Sequence, residues 1–255
     1  MLSIEHISVV VIVKNSEKTI KRTLDSLTSF DDVVVYDNGS TDTTMQIAKK
    51  FPNVTLIQGE FKGFGWTKNQ AANFAKNDWV MIIDSDEVVN SDLIGYLKIK
   101  KLKDDVVYRL NSNGYYKNSR VKYCGWTLNV KRIYNRKITS FNDRDKVHEH
   151  VLSDGLKEEV LKGSINHYSY NSISEFIQKA DLYSTLFAKN SVGKKSSSPS
   201  KAFFNALFSF FKTYILKQGF RDGYVGLVIA YSHMVTNFYK YIKLYELNKD
   251  MAKKD

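Results

Sequence analysis

Two aspartates follow a strongly apolar segment in the first third of the chain. Residues 79–83 read WVMII and are followed directly by Asp84, Ser85 and Asp86. Two carboxylates one residue apart, at the end of a buried strand, can hold a divalent cation such as Mg²⁺ or Mn²⁺, which shares oxygen ligands with a diphosphate. One aspartate then binds the metal while the other orients a ribose. The alternative is an acidic helix N-terminus, which the helix dipole favours.

A second polar cluster follows another apolar run. The segment VVVY leads into Asp37-Asn38-Gly39-Ser40. Because Asn-Gly is a strong turn signal, a tight turn is one explanation. The other is that Asp37, at the carboxyl end of a strand, accepts a hydrogen bond from the N–H of a base.

These clusters need a scaffold, and the first 90 residues predict one. Apolar, β-branched runs alternate with segments of helical periodicity, which indicates βαβ units and a parallel sheet covered by helices. The predicted strands are 7–13, 32–36, 54–58 and 79–83; the helices between them begin at Asn15 or Ser16 and cover 41–50 and 67–76. Ligands bind such sheets outside the carboxyl ends of the strands, where both acidic clusters lie.

After the first 90 residues the regular alternation of strands and helices ends. Short strands between residues 106 and 151, and a last one at 165–170, predict a smaller mixed extension of the sheet. A helix is expected at 172–190, and SVGKKSSSPS at 191–200 is typical of a linker. Two helices rich in aromatic residues, 201–218 and 222–247, complete the prediction.

Composition excludes several classes of protein. The single cysteine, Cys124, rules out a disulfide framework and a multi-thiolate zinc site. We expect neither a signal peptide nor a transmembrane helix. The formal net charge is +11, and residues 189–255 contain 12 basic and 4 acidic residues. A basic tail on a nearly neutral body indicates an anionic partner, either a membrane surface or nucleic acid.

Long strings of the sequence carry a family resemblance. ISVVVIVKNSEKTIKRTLDSL, VVVYDNGSTDTT and KNQAANFAKNDWVMIIDSDE, within about residues 5–90, resemble a family 2 glycosyltransferase. Scattered later segments (VHE, NHYSY, KQGFRDG and FYKYIKL) resemble a narrower subgroup that includes bacterial lipopolysaccharide inner-core β-glucosyltransferases. The resemblance implies the GT-A fold, an α/β architecture with a mostly parallel central sheet and helices on both faces, here with a C-terminal helical extension.

The resemblance also implies a reaction and a set of donor-site residues. The reaction is an inverting transfer of a hexose from a nucleotide-diphosphate sugar, with UDP-glucose as the first expectation and Mg²⁺ or Mn²⁺ as cofactor. Asp37 would contact the base. Asp84 and Ser85 would contact the ribose on the side of the metal, and Lys68 would contact the nucleotide. Val11, Val13 and Asn15 would line the nucleotide pocket. Asp86 would ligate the metal, with His167 as a further ligand; a lone histidine on a strand is otherwise more often structural.

Inversion needs a general base, which typically contributes about 10²–10⁴-fold. Many family members use an aspartate of a Glu-Asp pair, and this sequence departs from that pattern. Glu149 is the candidate base, with Asp143 and Asp145 as alternatives; an exposed strand carboxylate is the competing explanation. Trp126, His148 and Arg132 are candidate acceptor-binding residues, although Trp126 could equally belong to a core and Arg132 to the solvated surface.

We therefore expect a catalytic domain at 1–190, with a nucleotide-sugar half at 1–100 and an acceptor half at 101–170. A linker at 191–200 and a basic amphipathic tail at 201–255 follow. Basic helices with aromatic faces suit association with a membrane surface, where anionic lipid adds about 1 kcal/mol per nearby Lys or Arg. The expected protein is cytoplasmic, peripheral on the inner face of the cell membrane, and acts on a lipid-linked saccharide. The helices could instead pack on the body or form a homodimer.

Other functions remain open from the residues alone. The basic tail could bind nucleic acid without catalysis, but its aromatic residues fall at apolar helical positions and leave few free to stack on bases, so we expect no nucleic acid partner. A sugar nucleotidyltransferase would normally carry a glycine-rich basic loop after the first strand, where this chain has Lys14-Asn15-Ser16-Glu17. A non-catalytic binding module is the last alternative.

Overall fold

A parallel four-stranded sheet forms the amino-terminal half of the fold. The computed structural model describes residues 3–143 and 150–253. In this sheet β2 (Val33–Asp37) lies between β1 (Ser8–Val13) and β3 (Val54–Gln58), and β4 (Trp79–Ile82) pairs with the other side of β1. Every residue of β1 and β2 is buried, as expected for β-branched runs in a sheet that is covered on both faces.

The side chains of these strands divide between two cores. Successive side chains of a strand point to opposite faces. Accordingly, Val9 and Val11 belong to one buried cluster, with Met81, while Val10 and Ile12 belong to another. The predicted α/β fold class is confirmed, because apolar packing covers both faces of the parallel sheet.

Three helices connect the parallel strands: α1 (Ile20–Asp25), α2 (Thr44–Ala48) and α3 (Phe64–Ala72). Helix α1 begins four or five residues later than the predicted cap. Asn15 has a left-handed φ of 50° and uses its backbone N–H and side chain to bind Ser40 and Thr41. This residue therefore joins two loops at the edge of the sheet instead of starting a helix.

The sequence did not predict the next two elements, β5 (Glu87–Val89) and α4 (Ser91–Leu97). They are followed by β6 (Val106–Tyr116), β7 (Ser119–Val121), β8 (Leu128–Asn135) and β9 (Lys157–Tyr170). Among the described residues the strand order is β3-β2-β1-β4-β8-β6-β9-β5, and β8 joins β4 antiparallel. Strand β9 starts eight residues before the predicted strand.

The described chain forms two compact units. The first contains residues 1–113 and 128–167, and the second contains residues 114–127 and 168–255. In the second unit β7 pairs with the end of β6, and Tyr116, Val121 and Cys124 form a small core with Val225 and Ile229. Burial raises the pKa of the Cys124 thiol to about 12, so this cysteine is a core side chain. The predicted boundaries near 190 and 200 stay predictions.

Most of the second unit is helical, with α5 (Ile173–Ser191), α6 (Pro199–Phe211) and the long α7 (Gly223–Met251). A π-helical turn, Lys212–Leu216, extends α6, and a 3₁₀ turn, Gly219–Asp222, precedes α7. Ser172 and Ser198 cap α5 and α6 by accepting backbone N–H bonds three residues on. Within residues 3–143 and 150–253, no helix is both long and apolar enough to cross a bilayer.

Close packing at Gly65 leads to a prediction about stability. A Cβ at this position of α3 would lie 2.0 Å from the carbonyl oxygen of Asn142, which is backbone and cannot rotate away. We expect Gly65→Ala to lower the free energy of unfolding by about 1–3 kcal/mol, as overpacking does. Gly95→Ala is the matched control, because nothing lies within 4 Å of its Cβ in helix α4. It should raise stability by about 0.5–1 kcal/mol. Urea unfolding of both variants measures the difference; equal effects would contradict the packing argument.

Candidate active site

A cavity of about 460 Å³ opens at the carboxyl ends of β1, β2 and β4. This is the edge of the sheet where the sequence predicted a ligand site. Residues of both apolar and polar type line it: Ile12, Val13, Lys14, Ser16, Asn38, Phe61, Phe64, Asp84 and Ser85. Of the predicted donor-site residues, Val13, Asp84 and Ser85 therefore line the cavity, while Val11 is fully buried in the core of the first unit.

Hydrogen bonds join the loops that border this cavity. Ser16 donates its hydroxyl to Ser85 Oγ at 3.0 Å, and its own backbone N–H binds Thr44 Oγ1 at 2.7 Å. Asn15 joins the same loop to the turn after β2 through Ser40. The loop after β1 is thus tied to the loops after β2 and β4, which makes the rim of the cavity a connected structure.

Asp37 is fully buried at the end of β2. Its Oδ2 accepts the backbone N–H groups of Gly39 and Ser40, both at 3.1 Å, and Gly39 has a φ of 85°. The carboxylate therefore shapes the turn that the Asn-Gly pair predicted. Its predicted contact with a base stays a prediction.

Asp84 lies between two cations. Its Oδ1 is 3.3 Å from the buried Nζ of Lys68, and its Oδ2 accepts a hydrogen bond of 2.8 Å from Nη2 of Arg132. Burial alone would raise the pKa of Asp84, but Arg132 and then Lys68 outweigh it and hold the pKa well below its usual range. Asp84 is therefore a carboxylate whose charge is already offset by its neighbours.

Arg132 reaches Asp84 because of strand topology. In the antiparallel pairing of β4 with β8, Met81 lies opposite Ile133, so Arg132 stands one residue nearer the carboxyl end of β4. Lys68 comes from the buried face of α3, where its ammonium also lies 5.2 Å from the ring centroid of Phe141. Two separate elements thus deliver one cation each to the same carboxylate.

Glu87 completes this cluster, a role that its position in the sequence does not predict. It is fully buried, its Oε1 lies 2.5 Å from Nη2 of Arg132, and its Oε2 accepts the backbone N–H of Asp84 at 2.9 Å. Burial raises the pKa of Glu87, and Arg132 opposes that rise. One glutamate therefore holds both the arginine and the backbone that carries Asp84.

Asp86, the second aspartate of the acidic segment, pairs with His167. Strand β5 pairs with β9 so that Glu87 lies opposite His167, which places Nε2 of His167 3.3 Å from Oδ2 of Asp86. Burial would lower the pKa of His167, but the hydrogen bond to Asp86 and its charge outweigh burial, so the pKa is raised. Both side chains are about one-third exposed, at 32% and 34%.

This pair fits a divalent metal in part. A carboxylate oxygen and an imidazole nitrogen can bind Mn²⁺ or Mg²⁺ side by side, once the imidazole is neutral. Among the residues that the structure describes, no group of three or more His, Cys, Asp and Glu side chains is placed to hold a metal. The chain would thus supply two ligands, and phosphate oxygens and water the others, which is usual for Mg²⁺.

Several predicted residues are not part of this cluster. Glu149, His148 and Asp145 lie outside the described residues, and Asp143 is exposed at the end of the described segment. Trp126 belongs to the second unit, where it stacks on Tyr170 with ring centroids 5.4 Å apart. Their predicted roles as base and acceptor-binding residues stay predictions.

The buried Glu87–Arg132 pair leads to a testable prediction. Glu87→Gln keeps the shape but removes the charge that balances a buried guanidinium, so we expect a loss of about 1–3 kcal/mol in the free energy of unfolding. Glu60→Gln is the control, because Glu60 pairs with Lys62 at the surface, and it should change stability by less than about 0.5 kcal/mol. Urea unfolding measures both. A Glu87→Gln effect as small as that of Glu60→Gln would show that the pair does not support the site.

Comparison with known proteins assigns the chain to a family. The model of glycosyl transferase family 2 matches residues 8–153. An uncharacterized glycosyltransferase of Rickettsia typhi is 31% identical over 257 residues, covering 95% of this chain and 87% of the relative. The lipopolysaccharide core biosynthesis glycosyltransferase LpsC of Rhizobium meliloti is 24% identical over 94% of this chain and 92% of its own length.

Among solved structures, S. aureus TarS 1–349 in complex with UDP-GlcNAc aligns with 98% of this chain and 92% of its own. The TM-score is 0.45 and the sequence identity 17%. The assignment therefore rests on the family model and on the relatives in sequence. The chain belongs to glycosyl transferase family 2 and is a glycosyltransferase.

Proposed function

We propose that this glycosyltransferase transfers a hexose from a UDP-sugar, with UDP-glucose first among the candidates, to a lipid-linked saccharide with inversion. The observation that carries the proposal is the pair formed by Asp86 and His167, which directly follows Asp84 and Ser85, two residues that line the cavity at the strand ends. An oxygen and a nitrogen ligand at that place suit a metal that shares a diphosphate. The cavity lined by Asp84 and Ser85 has the size for a nucleotide, within the usual range of about 300–1,000 Å³ for ligand sites.

Different residues are proposed to bind different parts of the donor. Lys68 and Arg132 already offset the charge of Asp84, so we propose that Asp84 binds the hydroxyls of the ribose. Asp86 and His167 then bind the metal. Ser85 and the backbone from Val13 to Asn15 line the nucleotide, and Asp37 shapes the loop against which the base lies.

A divalent metal, when bound at Asp86 and His167, supplies Lewis-acid stabilisation of the charge that develops on the departing diphosphate. The chain itself must remove a proton from the acceptor hydroxyl on the opposite face of the sugar. We assign that step to Glu149, with Asp143 and Asp145 as alternatives, and the binding of the acceptor to His148 and Arg132.

The acceptor is proposed from a relative and from a surface. LpsC, similar over nearly the whole chain, is named for lipopolysaccharide core biosynthesis. The surface is the outer face of α6, on which Phe203, Phe204, Leu207, Phe208 and Phe211 are each 46–66% exposed. Their spacing is that of one helical face, while Ala202 and Ala206 are buried. Exposed aromatic side chains in such number indicate a binding surface.

The charge of the same segment favours an anionic membrane as the partner of α6. Residues 194–221 contain six Lys or Arg residues and no Asp or Glu. Aromatic rings that enter the headgroup region next to lysines are typical of peripheral helices, and anionic lipid attracts those lysines. We therefore propose peripheral attachment to the cytoplasmic face of the cell membrane, where a lipid-linked acceptor would be accessible. A second copy of the chain is the competing partner for this face.

The donor site can be tested with nucleotide sugars. With Mn²⁺ and a UDP-sugar at about 100 times its Kd, the midpoint of thermal unfolding should rise by about 5–10 °C. Asp86→Asn should abolish the metal-dependent part of that rise and lower kcat/KM at least about 100-fold, because a metal ligand is lost. The control is Asp154→Asn, a change in an exposed loop. If no UDP-, GDP- or dTDP-sugar stabilises the wild-type chain with Mn²⁺ present, the proposed donor site is wrong.

Vesicle sedimentation tests the membrane surface. The full chain should bind vesicles of phosphatidylglycerol and phosphatidylethanolamine and bind phosphatidylcholine vesicles poorly. Replacing Phe204 and Phe208 by serine should lower the partition coefficient at least about tenfold, since each inserted ring contributes about 1.5–3 kcal/mol.

The control for that experiment replaces two exposed apolar residues of the first unit, Phe74 and Ile99, by serine. It should leave vesicle binding unchanged. Equal binding by the α6 variant and the wild type would contradict the membrane proposal, and a concentration-dependent dimer lost in the α6 variant would assign this face to a second copy.

A further inference from the structure

A second cavity of about 380 Å³ shares the lining residue Asp84 with the donor cavity. Both cavities lie in the first unit, and Asp84 lines both. Its described lining residues include four Lys or Arg side chains, one histidine and one acid: Lys68, Arg109, Lys131, Arg132, His150 and Asp84. This cavity therefore has a basic wall next to the carboxylate that we assign to the donor.

The two cations nearest Asp84 do not account for the positive charge of this second cavity. Lys68 and Arg132 face two carboxylates, Asp84 and the buried Glu87. Two positive and two negative charges balance within this cluster. Any surplus of positive charge in the cavity must come from the remaining basic side chains.

Arg109 and Lys131 supply that surplus because they share a single carboxylate. Nη1 of Arg109 is 3.0 Å from Oε2 of Glu158, and Nζ of Lys131 is 2.6 Å from Oε1 of the same side chain. Hydrogen bonds from Lys131 and Ser153 lower the pKa of Glu158 to about 2, so this carboxylate is charged at neutral pH. Among the residues that the structure describes, these two cations and one anion leave one positive charge.

Buried guanidinium donors in the same wall lack acceptors. Nη2 of Arg109 donates to the carbonyl oxygen of Asn129 at 2.7 Å, but its Nε is buried and finds no acceptor among the described residues. The same is true, within that part of the chain, of Nε of Arg132. A buried donor without an acceptor costs about 1–3 kcal/mol, so the two guanidinium groups of this wall are incompletely hydrogen-bonded among the described residues.

We infer that the acceptor saccharide carries an anionic group, a phosphate or a carboxylate, which binds to Arg109 and Lys131 in this cavity. The inference rests on the proposed function, because it assigns the donor to the first cavity that Asp84 lines. Arginine and lysine are the usual partners of such groups, and the charge-assisted bonds that they form are about twice as strong as neutral ones. The anion would take the positive charge that Glu158 leaves over and would place the acceptor beside Asp84.

The test compares three sugars that differ in one group. Glucose 6-phosphate, glucuronate and glucose are titrated into the full chain by NMR, with and without UDP and Mn²⁺. UDP is present in one arm because a phosphate could otherwise occupy the diphosphate position of the donor site. We expect at least one anionic sugar to bind about tenfold more tightly than glucose, both with and without UDP and Mn²⁺. Comparison of glucose 6-phosphate with glucuronate shows which anion the cavity prefers.

Three variants assign the binding to this cavity. Lys131→Met should weaken binding of the anionic sugar about tenfold, because one charge-assisted bond is lost. Glu158→Gln should strengthen it, because the competing carboxylate is removed from both cations. Lys157→Met is the matched control: it removes an exposed lysine that pairs with Asp105 at the surface, and should leave the Kd unchanged.

Equal affinity for all three sugars would overturn the inference. So would a Kd of the anionic sugar that neither Lys131→Met nor Glu158→Gln changes. Failure of the proposed donor site has a different signature. In that case UDP and Mn²⁺ produce no thermal stabilisation, while the three sugars and the variants still report on the basic cavity in the arm without nucleotide.

Discussion

The guanidinium of Arg132 is the interaction on which the site depends. It binds Asp84, which lines both cavities, and Glu87, which also holds the backbone of Asp84. An unpaired ion in such a place would cost several kcal/mol, whereas the group of two carboxylates and two cations is balanced. Because each member binds another, the carboxylates of Asp84 and Glu87 are compensated by cations instead of repelling each other.

Strand order explains how distant residues form this group. The parallel strands bring the loops after β1, β2 and β4 to one edge, and the antiparallel strands then add single residues from far along the chain. Strand β8 brings Arg132 past the end of β4, and β9 brings His167 opposite Glu87. The parallel half thus builds the cavity that we propose for the nucleotide, and the antiparallel half supplies charges around its acidic segment.

The sequence predicted the parts of the site that lie close together along the chain. Apolar runs that end in carboxylates located Asp37, Asp84 and Asp86, because burial of a strand and polarity at its end are local signals. Glu87 was missed for a physical reason. A glutamate after two aspartates normally faces solvent, and its burial depends on an arginine 45 residues further on.

The same limit applies to the elements. Strand β9 begins with charged residues, Lys157, Glu158 and Glu159, which give no apolar pattern. It is a strand because neighbouring strands provide backbone partners, and its first side chains form ion pairs with Arg109 and Lys100. Pairing between distant segments, which no local pattern encodes, therefore determined both the start of β9 and the position of its basic partners.

A glycosyltransferase that transfers a sugar from a diphosphate donor to an anionic acceptor must hold two negatively charged ligands close together. Two unit charges 4 Å apart repel by about 4 kcal/mol near a protein surface. The arrangement of charges around Asp84 suits that demand. Lys68 and Arg132 offset Asp84 itself, so it adds little repulsion to either ligand. A metal ion at Asp86 and His167 would then serve the donor, and the positive charge left by Arg109, Lys131 and Glu158 would serve the acceptor. In the proposed arrangement each anion would have its own positive counter-charge, and the Asp84 carboxylate, which lines both cavities, would repel neither ligand strongly. Specificity for a charged acceptor would then not weaken the binding of the donor.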